Sequence, residues 1–251
     1  MKKIDIHYTT LLFFLLSIFA GLFKDVLILF SIIIIHELGH LLASIIFKYK
    51  ITKIHIYPYG GMIEYCEDIN RPIRQDFIVA ISGILVQSIY YFLICLLYNN
   101  YIISQNTFVI FCNYHFSILL FNLLPIYPLD GSKLLNLFIN LFFPYKMSHI
   151  ISIIISIFLI ILLLIFNINI NGMLIMVLLI QKVYIEIRNH KFLFNKFLLE
   201  RYINSYNFNK YKYIKSYKLS KMFRDYKHIF LLNNNQINEK KALKLKFKID
   251  L

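Results

Sequence analysis

Long apolar stretches constrain this chain more than any other feature. Six segments are apolar enough to be interpreted as membrane-spanning helices, although the first and last are short, because a helix needs about 20 apolar residues to cross the hydrocarbon core. The segments are 10–23, 26–47, 77–98, 107–127, 147–166 and 172–187. The whole chain is 59% hydrophobic with a mean hydropathy of +0.64, which is unusual for a soluble domain. The sequence therefore predicts an all-α polytopic membrane protein with about six transmembrane helices, formed by residues 1–187.

The connections between these segments predict their orientation. The connections 24–25, 99–106 and 167–171 contain Lys24 as their one basic residue, whereas the opposite ends of the segments contain many lysines and arginines. Basic residues are enriched on the cytoplasmic side of a membrane protein. We therefore expect both termini to be cytoplasmic.

Residues 36–40 place a metal-binding pattern inside the second apolar segment. They read His36-Glu37-Leu38-Gly39-His40, and HExxH on a helix puts two imidazoles one turn apart on one face. Two such imidazoles suit zinc, and the glutamate beside them can take a proton from water. A carboxylate in a membrane helix is costly, so Glu37 is itself a functional-site hypothesis. The pattern predicts a zinc hydrolase that works inside a bilayer.

Asp130 is the candidate for the third protein ligand that a zinc site needs. At 1.5 Å per residue, the two histidines lie about 15 and 21 Å from the outer end of the second segment. The fourth segment runs in the same direction, and Pro125 and Pro128 should end its helix near the inner face. Asp130 should therefore lie level with the histidines, whereas His115 lies nearer the outer end. The alternative is an ordinary loop aspartate before a glycine.

Two motifs of this chain occur in separate predicted spans: HExxH in the second, and Asn-Leu-Leu-Pro-Ile-Tyr-Pro-Leu-Asp-Gly (residues 122–131) at the end of the fourth. In this combination the chain resembles the site-2 protease family (peptidase family M50) of intramembrane zinc metalloproteases. The resemblance covers about residues 5–190 and is strongest to the six-span group that processes a sporulation sigma factor precursor, pro-sigma-K. It implies a Zn²⁺ cofactor and a set of site residues. They are His36, His40 and Asp130 as metal ligands, Glu37 as general acid and base, and Asn122 and Pro128 near the substrate.

Two further segments bear on this resemblance. Residues 54–65 have glycines between β-prone residues and resemble the family's membrane-associated hairpin, with a plain interfacial loop as the alternative. After Asp130-Gly131 the chain has Ser132 and Lys133, where relatives usually have a second glycine and an arginine. This departure leaves the proposed ligand intact.

The chain changes character towards its C-terminus. From Lys182 onward it has 17 Lys and Arg against 5 Asp and Glu. Residues 188–251 predict a small basic cytoplasmic region with about two helices and a strand. Its charge fits a cytoplasmic tail near anionic lipid, or a docking surface for an acidic or disordered protein substrate. The resemblance adds a third interpretation, a truncated CBS-like remnant. No nucleic-acid-binding motif is visible, so we expect no direct nucleic-acid partner.

The resulting hypothesis is a zinc metalloendopeptidase that cleaves a membrane-associated protein near the cytosolic face. The resemblance implies a sigma factor precursor as substrate, membrane regulatory proteins as partners beside the lipid bilayer, and a mother-cell-derived membrane around the forespore as location. Two alternatives stay open. One is a site-2 protease that acts on an anti-sigma factor or a signal-peptide remnant, and the other is a non-catalytic zinc-binding membrane protein or transporter.

Overall fold

The computed structural model describes residues 3–6, 8–57, 60–65, 69–165, 170–204, 206, 208, 210–232 and 235–247. Within them the chain is mostly helical. The helices are α1 (Tyr8–Phe19), α2 (Phe23–Ile46), α3 (Ile73–Asn99), α4 (Gln105–Leu123), α5 (Asp130–Phe142), α6 (Tyr145–Ile165), α7 (Ile170–Ile203) and α8 (Glu239–Phe247). The strands are β1 (Lys3–Ile6), β2 (Ile51–Tyr57), β3 (Gly60–Tyr65), β4 (Lys210–Ile214), β5 (Tyr226–Leu232) and β6 (Asn235–Asn238).

Four of the described helices are long and apolar enough to cross a membrane: α2, α3, α4 and α6. Helix α1 is apolar but has 12 residues, too few to cross the hydrocarbon core unless the bilayer thins locally. The expectation of a mostly helical membrane protein is confirmed, and the count of six spans stays a prediction.

The chain divides into two compact units, of which the first contains residues 1–67 and 78–123. In it α2 packs against α1, α4 and β3. Strands β2 and β3 pair antiparallel, so the expected hairpin at 54–65 is present. Strand β1 pairs parallel with β2 and extends the hairpin to a three-stranded sheet, which the sequence did not lead us to expect.

Helices α2 and α3 approach each other closely at Gly39. A Cβ atom added to Gly39 would lie 2.5 Å from the carbonyl oxygen of Ser82 and 2.9 Å from the Cα atom of Gly83. These are backbone atoms, which cannot rotate away. Small residues at such a contact are typical of helix pairs in membranes, where close packing and polar contacts replace the hydrophobic effect. Gly39 lies between Glu37 and His40, so this contact also positions the HExxH residues.

The second unit contains residues 68–77 and 124–251, and it begins after the break that the two prolines predict. Helix α4 ends at Leu123, and Ile126 in the following loop is fully buried. The Tyr127 N–H donates to Ser156 Oγ (3.1 Å), about 17 Å along α6 from its first residue at 1.5 Å per residue. Irregular backbone at membrane depth is tolerated where protein satisfies its polar groups, as Ser156 does here.

The loop leads directly into α5, which the sequence did not lead us to expect. Asp130 is the first residue of this helix, after Leu129 at the N-cap position, and α5 packs against α6. Asp130 therefore lies at a helix N-terminus, where a carboxylate is electrostatically favoured.

The tail folds around its own core. Strand β5 pairs parallel with β4 and antiparallel with β6, and α8 packs against β5 and α7. The region from residue 188 contains two helical parts, as expected: the end of α7, which continues without a break past residue 187, and α8. In place of the one expected strand it has three strands and a short 3₁₀ turn (Leu219–Lys221). The core side chains that are fully buried are Phe197, Leu198, Met222, Phe230, Ala242 and Leu243.

A buried polar network completes this core. The Arg201 guanidinium donates to Glu239 Oε1 (3.1 Å), to Asn70 Oδ1 (2.5 Å) and to the Phe223 carbonyl (2.8 Å). Burial lowers the pKa of His228, which favours the neutral ring. Its Nδ1 faces Glu239 at 3.1 Å while its Nε2 accepts from the Phe223 N–H at 2.9 Å. The network joins α7, β5, α8 and the segment before α3 with hydrogen bonds.

We expect the Gly39→Ala substitution to destabilise the protein because it places a methyl group against the backbone of α3. Overpacking of this kind costs about 1–3 kcal/mol. Thermal unfolding of the full chain in detergent should show a lower midpoint. Leu42→Ala on the same helix is the control, since Leu42 is 55% exposed and its truncation should change the midpoint little. An unaltered midpoint for Gly39→Ala would contradict the close contact.

Candidate metal centre

Helix α2 places the two histidines of the HExxH pattern one turn apart. His36 and His40 are both buried, and their Nε2 atoms lie 3.2 Å apart. The two rings stand nearly perpendicular, at 80° to each other. Burial of two imidazoles in a membrane helix is costly unless their nitrogen atoms find partners.

Helix α3 supplies a partner for the Nδ1 atom of each ring. His36 Nδ1 lies 2.9 Å from Gln87 Oε1, and His40 Nδ1 lies 2.7 Å from the Val79 carbonyl oxygen. The Gln87 side-chain N–H donates to the His115 carbonyl (3.1 Å), which assigns Oε1 as the atom that faces His36. Both partners are acceptors, so each neutral ring carries its hydrogen on Nδ1 and a lone pair on Nε2.

The arrangement of the Nε2 atoms fits a bound cation. Two nitrogen lone pairs 3.2 Å apart cannot form a hydrogen bond with each other, and their repulsion is relieved by a positive charge between them. Two nitrogen ligands of a tetrahedral zinc ion, at 2.0–2.1 Å from the metal, are about 3.3 Å apart. Ligating histidines also usually donate their other N–H to a carbonyl or carboxylate, as both rings do here.

Gly83 leaves room beside the same two atoms. A Cβ atom added to Gly83 would collide with His40 Nε2 and would lie 2.9 Å from His36 Nε2. A side chain at this position would therefore fill the space in front of the candidate ligand atoms. The donor set and this space both fit zinc.

Asp130, the first residue of α5 in the second unit, stays the predicted third ligand. The Asp130 side chain is buried, and Lys133 Nζ donates to its Oδ1 at 2.9 Å. Lys133, one of the two departures from the family pattern, thus helps to position the carboxylate.

The other predicted site residues have defined places in the fold. Glu37 is half-buried on α2, directly after His36. Asn122 is half-buried in the last turn of α4. Pro128 is half-buried in the loop before α5 and follows a cis peptide bond. Their roles in catalysis and substrate binding stay predictions.

The sequence interpretation missed the residues that orient the two rings. Gln87 is a fully buried amide in an apolar segment, and a polar residue in such a segment is a signal that could have pointed to it. Val79 contributes a backbone oxygen, which leaves no signal in the sequence. His115 was expected to lie nearer the outer end of its segment than the candidate ligands. Its ring stacks on Tyr91, with ring centroids 4.7 Å apart, and its backbone carbonyl accepts a hydrogen bond from Gln87.

Together the helices and the histidine pair define a candidate zinc centre of the HExxH type in a membrane protein. Comparison with known proteins identifies the class of enzyme. Residues 25–104 match the family described as Peptidase family M50. Over 205 residues the chain is 34% identical to Stage IV sporulation protein FB of Bacillus subtilis (strain 168), a match that covers 80% of this chain and 71% of that protein.

Two matches to the archaeon Methanocaldococcus jannaschii, one of sequence and one of structure, extend the comparison. The chain is 27% identical over 155 residues to a zinc metalloprotease of Methanocaldococcus jannaschii, covering 58% of this chain and 45% of that protein. The solved structure of a site-2 protease from the same organism matches with a TM-score of 0.54 at 27% identity, over 73% of this chain and 89% of that one. The chain belongs to peptidase family M50, the site-2 protease family, and is a zinc metalloprotease.

We expect Gln87→Leu to weaken zinc binding, because it removes the acceptor that holds His36 in its ligating tautomer. Loss of such a partner typically lowers metal affinity about 10–100-fold. Competition with a fluorescent zinc chelator, on the full chain in detergent, measures the affinity. Ser88→Ala changes the next, exposed residue of α3 and serves as control. Equal zinc affinity for Gln87→Leu and the unsubstituted protein would remove Gln87 from the site.

Proposed function

We propose that this zinc metalloprotease hydrolyses a peptide bond of a membrane-associated protein close to the cytosolic face. The observation that carries the proposal is the buried His36–His40 pair, with both Nδ1 atoms held by carbonyl oxygens, in a membrane-length helix that also carries Glu37. The predicted positive-inside orientation supports the cytosolic side.

For the substrate we propose a sporulation sigma factor precursor of the pro-sigma-K type. The support is the similarity to Stage IV sporulation protein FB and the motif pattern of residues 122–131. This substrate would place the protein in the mother-cell-derived membrane around the forespore, with membrane regulatory proteins as further partners. An anti-sigma factor or a signal-peptide remnant is the alternative within the same enzyme class.

In the proposed mechanism His36, His40 and Asp130 would hold the zinc ion, which would supply Lewis-acid chemistry at the scissile carbonyl. Glu37 takes the proton of the attacking water and later delivers it to the leaving amine nitrogen. Gln87 and Val79 keep both rings in the tautomer that leaves Nε2 unprotonated.

The sheet offers a place for the substrate backbone. A peptide bond within a helical substrate is protected by the helix hydrogen bonds, so the cleaved segment must be extended. Strand β3 is at one edge of the sheet β1–β2–β3 in the described part of the chain. An extended substrate segment added to β3 would gain backbone hydrogen bonds, a common mode of peptide recognition.

We expect Glu37→Gln to retain zinc and to lose cleavage, because the amide cannot accept the proton from water. General acid–base catalysis contributes about 10²–10⁴-fold to a rate, so cleavage should fall by at least this factor. Co-expression with a candidate pro-sigma factor, followed by size analysis of the product, measures cleavage.

Asp25→Asn is the matched control, since it removes a carboxylate from the first turn of the same helix. It should cleave normally. Cleavage by Glu37→Gln at the unsubstituted rate would exclude the proposed role of Glu37. Failure of the unsubstituted protein to cleave any pro-sigma factor, while it cleaves an anti-sigma factor, would change the substrate and leave the enzyme class intact.

A further inference from the structure

A cavity of about 690 Å³ lies where the start of α6 meets β4 and the 3₁₀ turn of the tail. Its lining is strongly basic. Four lysines and a serine contribute to it, and no acidic side chain does in the part of the chain that the structure describes. These residues are Lys146, Lys212, Lys215, Lys221 and Ser220.

The positive charge of this lining has no carboxylate partner among the described residues. In the part of the chain that the structure describes, none of the four lysines forms an ion pair with a carboxylate. The Lys212 ammonium is half-buried over the Phe223 ring, 3.1 Å from its centroid, and burial lowers the pKa of Lys212. Bringing like charges together and desolvating one of them costs free energy, which a bound anion would recover.

The other wall of the cavity is apolar. It is formed by Met147 and Ile150 of the membrane-length helix α6 and by Phe143 from the connection before it, and Phe143 and Met147 are 47% and 48% exposed. Met147 and Ile150 lie in the first two turns of α6, and Lys146 is the second residue of that helix. The lysines therefore lie at the end of a candidate membrane span, the level at which lipid headgroups occur, and the apolar wall leads along the helix.

A cavity with lysines on one side and an apolar wall on the other favours an amphiphilic anion as its ligand. A free phosphate would satisfy the lysines and leave the apolar wall without a partner. An acidic peptide would place polar backbone against Met147 and Ile150. A phospholipid supplies a phosphate for the ammonium groups and an acyl chain for the apolar wall, and clusters of lysines beside membrane helices commonly bind anionic lipid.

We propose that this cavity is a binding site for the phosphate group of an anionic phospholipid. The headgroup phosphate accepts hydrogen bonds from the lysines and Ser220, and the acyl chain lies along Met147 and Ile150. The lining shares no residue with the candidate metal centre, and the proposal does not depend on the proposed substrate. It gives the basic tail a specific lipid contact in addition to its general attraction to the membrane.

Native mass spectrometry of the full chain, released from detergent with added lipid, tests this proposal. We expect phosphatidylglycerol to be retained and phosphatidylcholine to bind about tenfold more weakly, since the excess negative charge is what the lysines select. The double substitution Lys215→Gln with Lys221→Gln should weaken phosphatidylglycerol binding roughly tenfold, as expected for the loss of charge-assisted contacts. Both lysines are exposed, so this variant should fold even if Lys212→Gln does not.

The matched control is Lys240→Gln with Lys241→Gln, two exposed lysines of α8 that do not line the cavity. It removes the same charge and should change the affinity by less than about twofold. If both double variants lost the same amount of phosphatidylglycerol affinity, the lysines would act only through general electrostatic attraction. That result would contradict a specific lipid site in the cavity.

Two further probes separate the lipid from other anions. Inorganic phosphate should displace phosphatidylglycerol only at far higher concentration than the lipid, and displacement at an equal concentration would assign the cavity to a soluble ligand. A polyglutamate peptide should not bind in a manner that depends on Lys215 and Lys221. The lipid proposal would be overturned if that peptide bound and the cavity substitutions left phosphatidylglycerol retention unchanged. These results would assign the surface to an acidic protein.

Discussion

The contact between α2 and α3 is the constraint on which the candidate site depends. Helix α2 carries both histidines, but α3 supplies the hydrogen-bond acceptors that set the orientation and the tautomer of their rings. Two glycines, Gly39 and Gly83, let the helices approach until the Val79 carbonyl reaches one ring and the Gln87 amide reaches the other. A looser contact would leave two buried imidazoles without acceptors and with an undefined tautomer.

The same requirement, that buried polar groups in a membrane have partners, explains features away from the histidines. The Gln87 side-chain N–H donates to the His115 carbonyl while its Oε1 faces His36 Nδ1, so both polar atoms of the amide have partners. The loop before α5 is irregular, yet Ser156 on α6 satisfies the Tyr127 N–H. Asp130 enters α5 from this loop and receives a hydrogen bond from Lys133. In each case a hydrogen bond within the protein replaces one to water, because the hydrocarbon core of the membrane contains no water.

Much of the candidate site could be predicted from the sequence because its chemistry follows residue types at fixed helical spacing. HExxH on an apolar segment predicted the histidine pair, and Pro125 and Pro128 predicted where α4 ends. The carbonyl that orients His40 could not be predicted, because a backbone atom has no residue-type signature. Helix α5 was missed because Pro128 and the Asp-Gly pair indicate a turn, whereas the apolar residues after Ser132 continue with helical spacing. The tail strands were missed because pairing partners at 210–214 and 226–232 are far apart in sequence.

Zinc X-ray absorption spectroscopy of the full chain reports the ligand atoms of the metal and therefore tests whether His36, His40 and Asp130 bind it. We expect a first shell of nitrogen and oxygen only, at about 2.0–2.1 Å, with the outer-shell scattering of two imidazoles. Asp130→Ala should remove one oxygen ligand, seen as a change in that first shell or as loss of zinc. A shell that contains sulfur, a single imidazole, or a spectrum unaltered by Asp130→Ala would contradict the assignment of His36, His40 and Asp130 as the metal ligands.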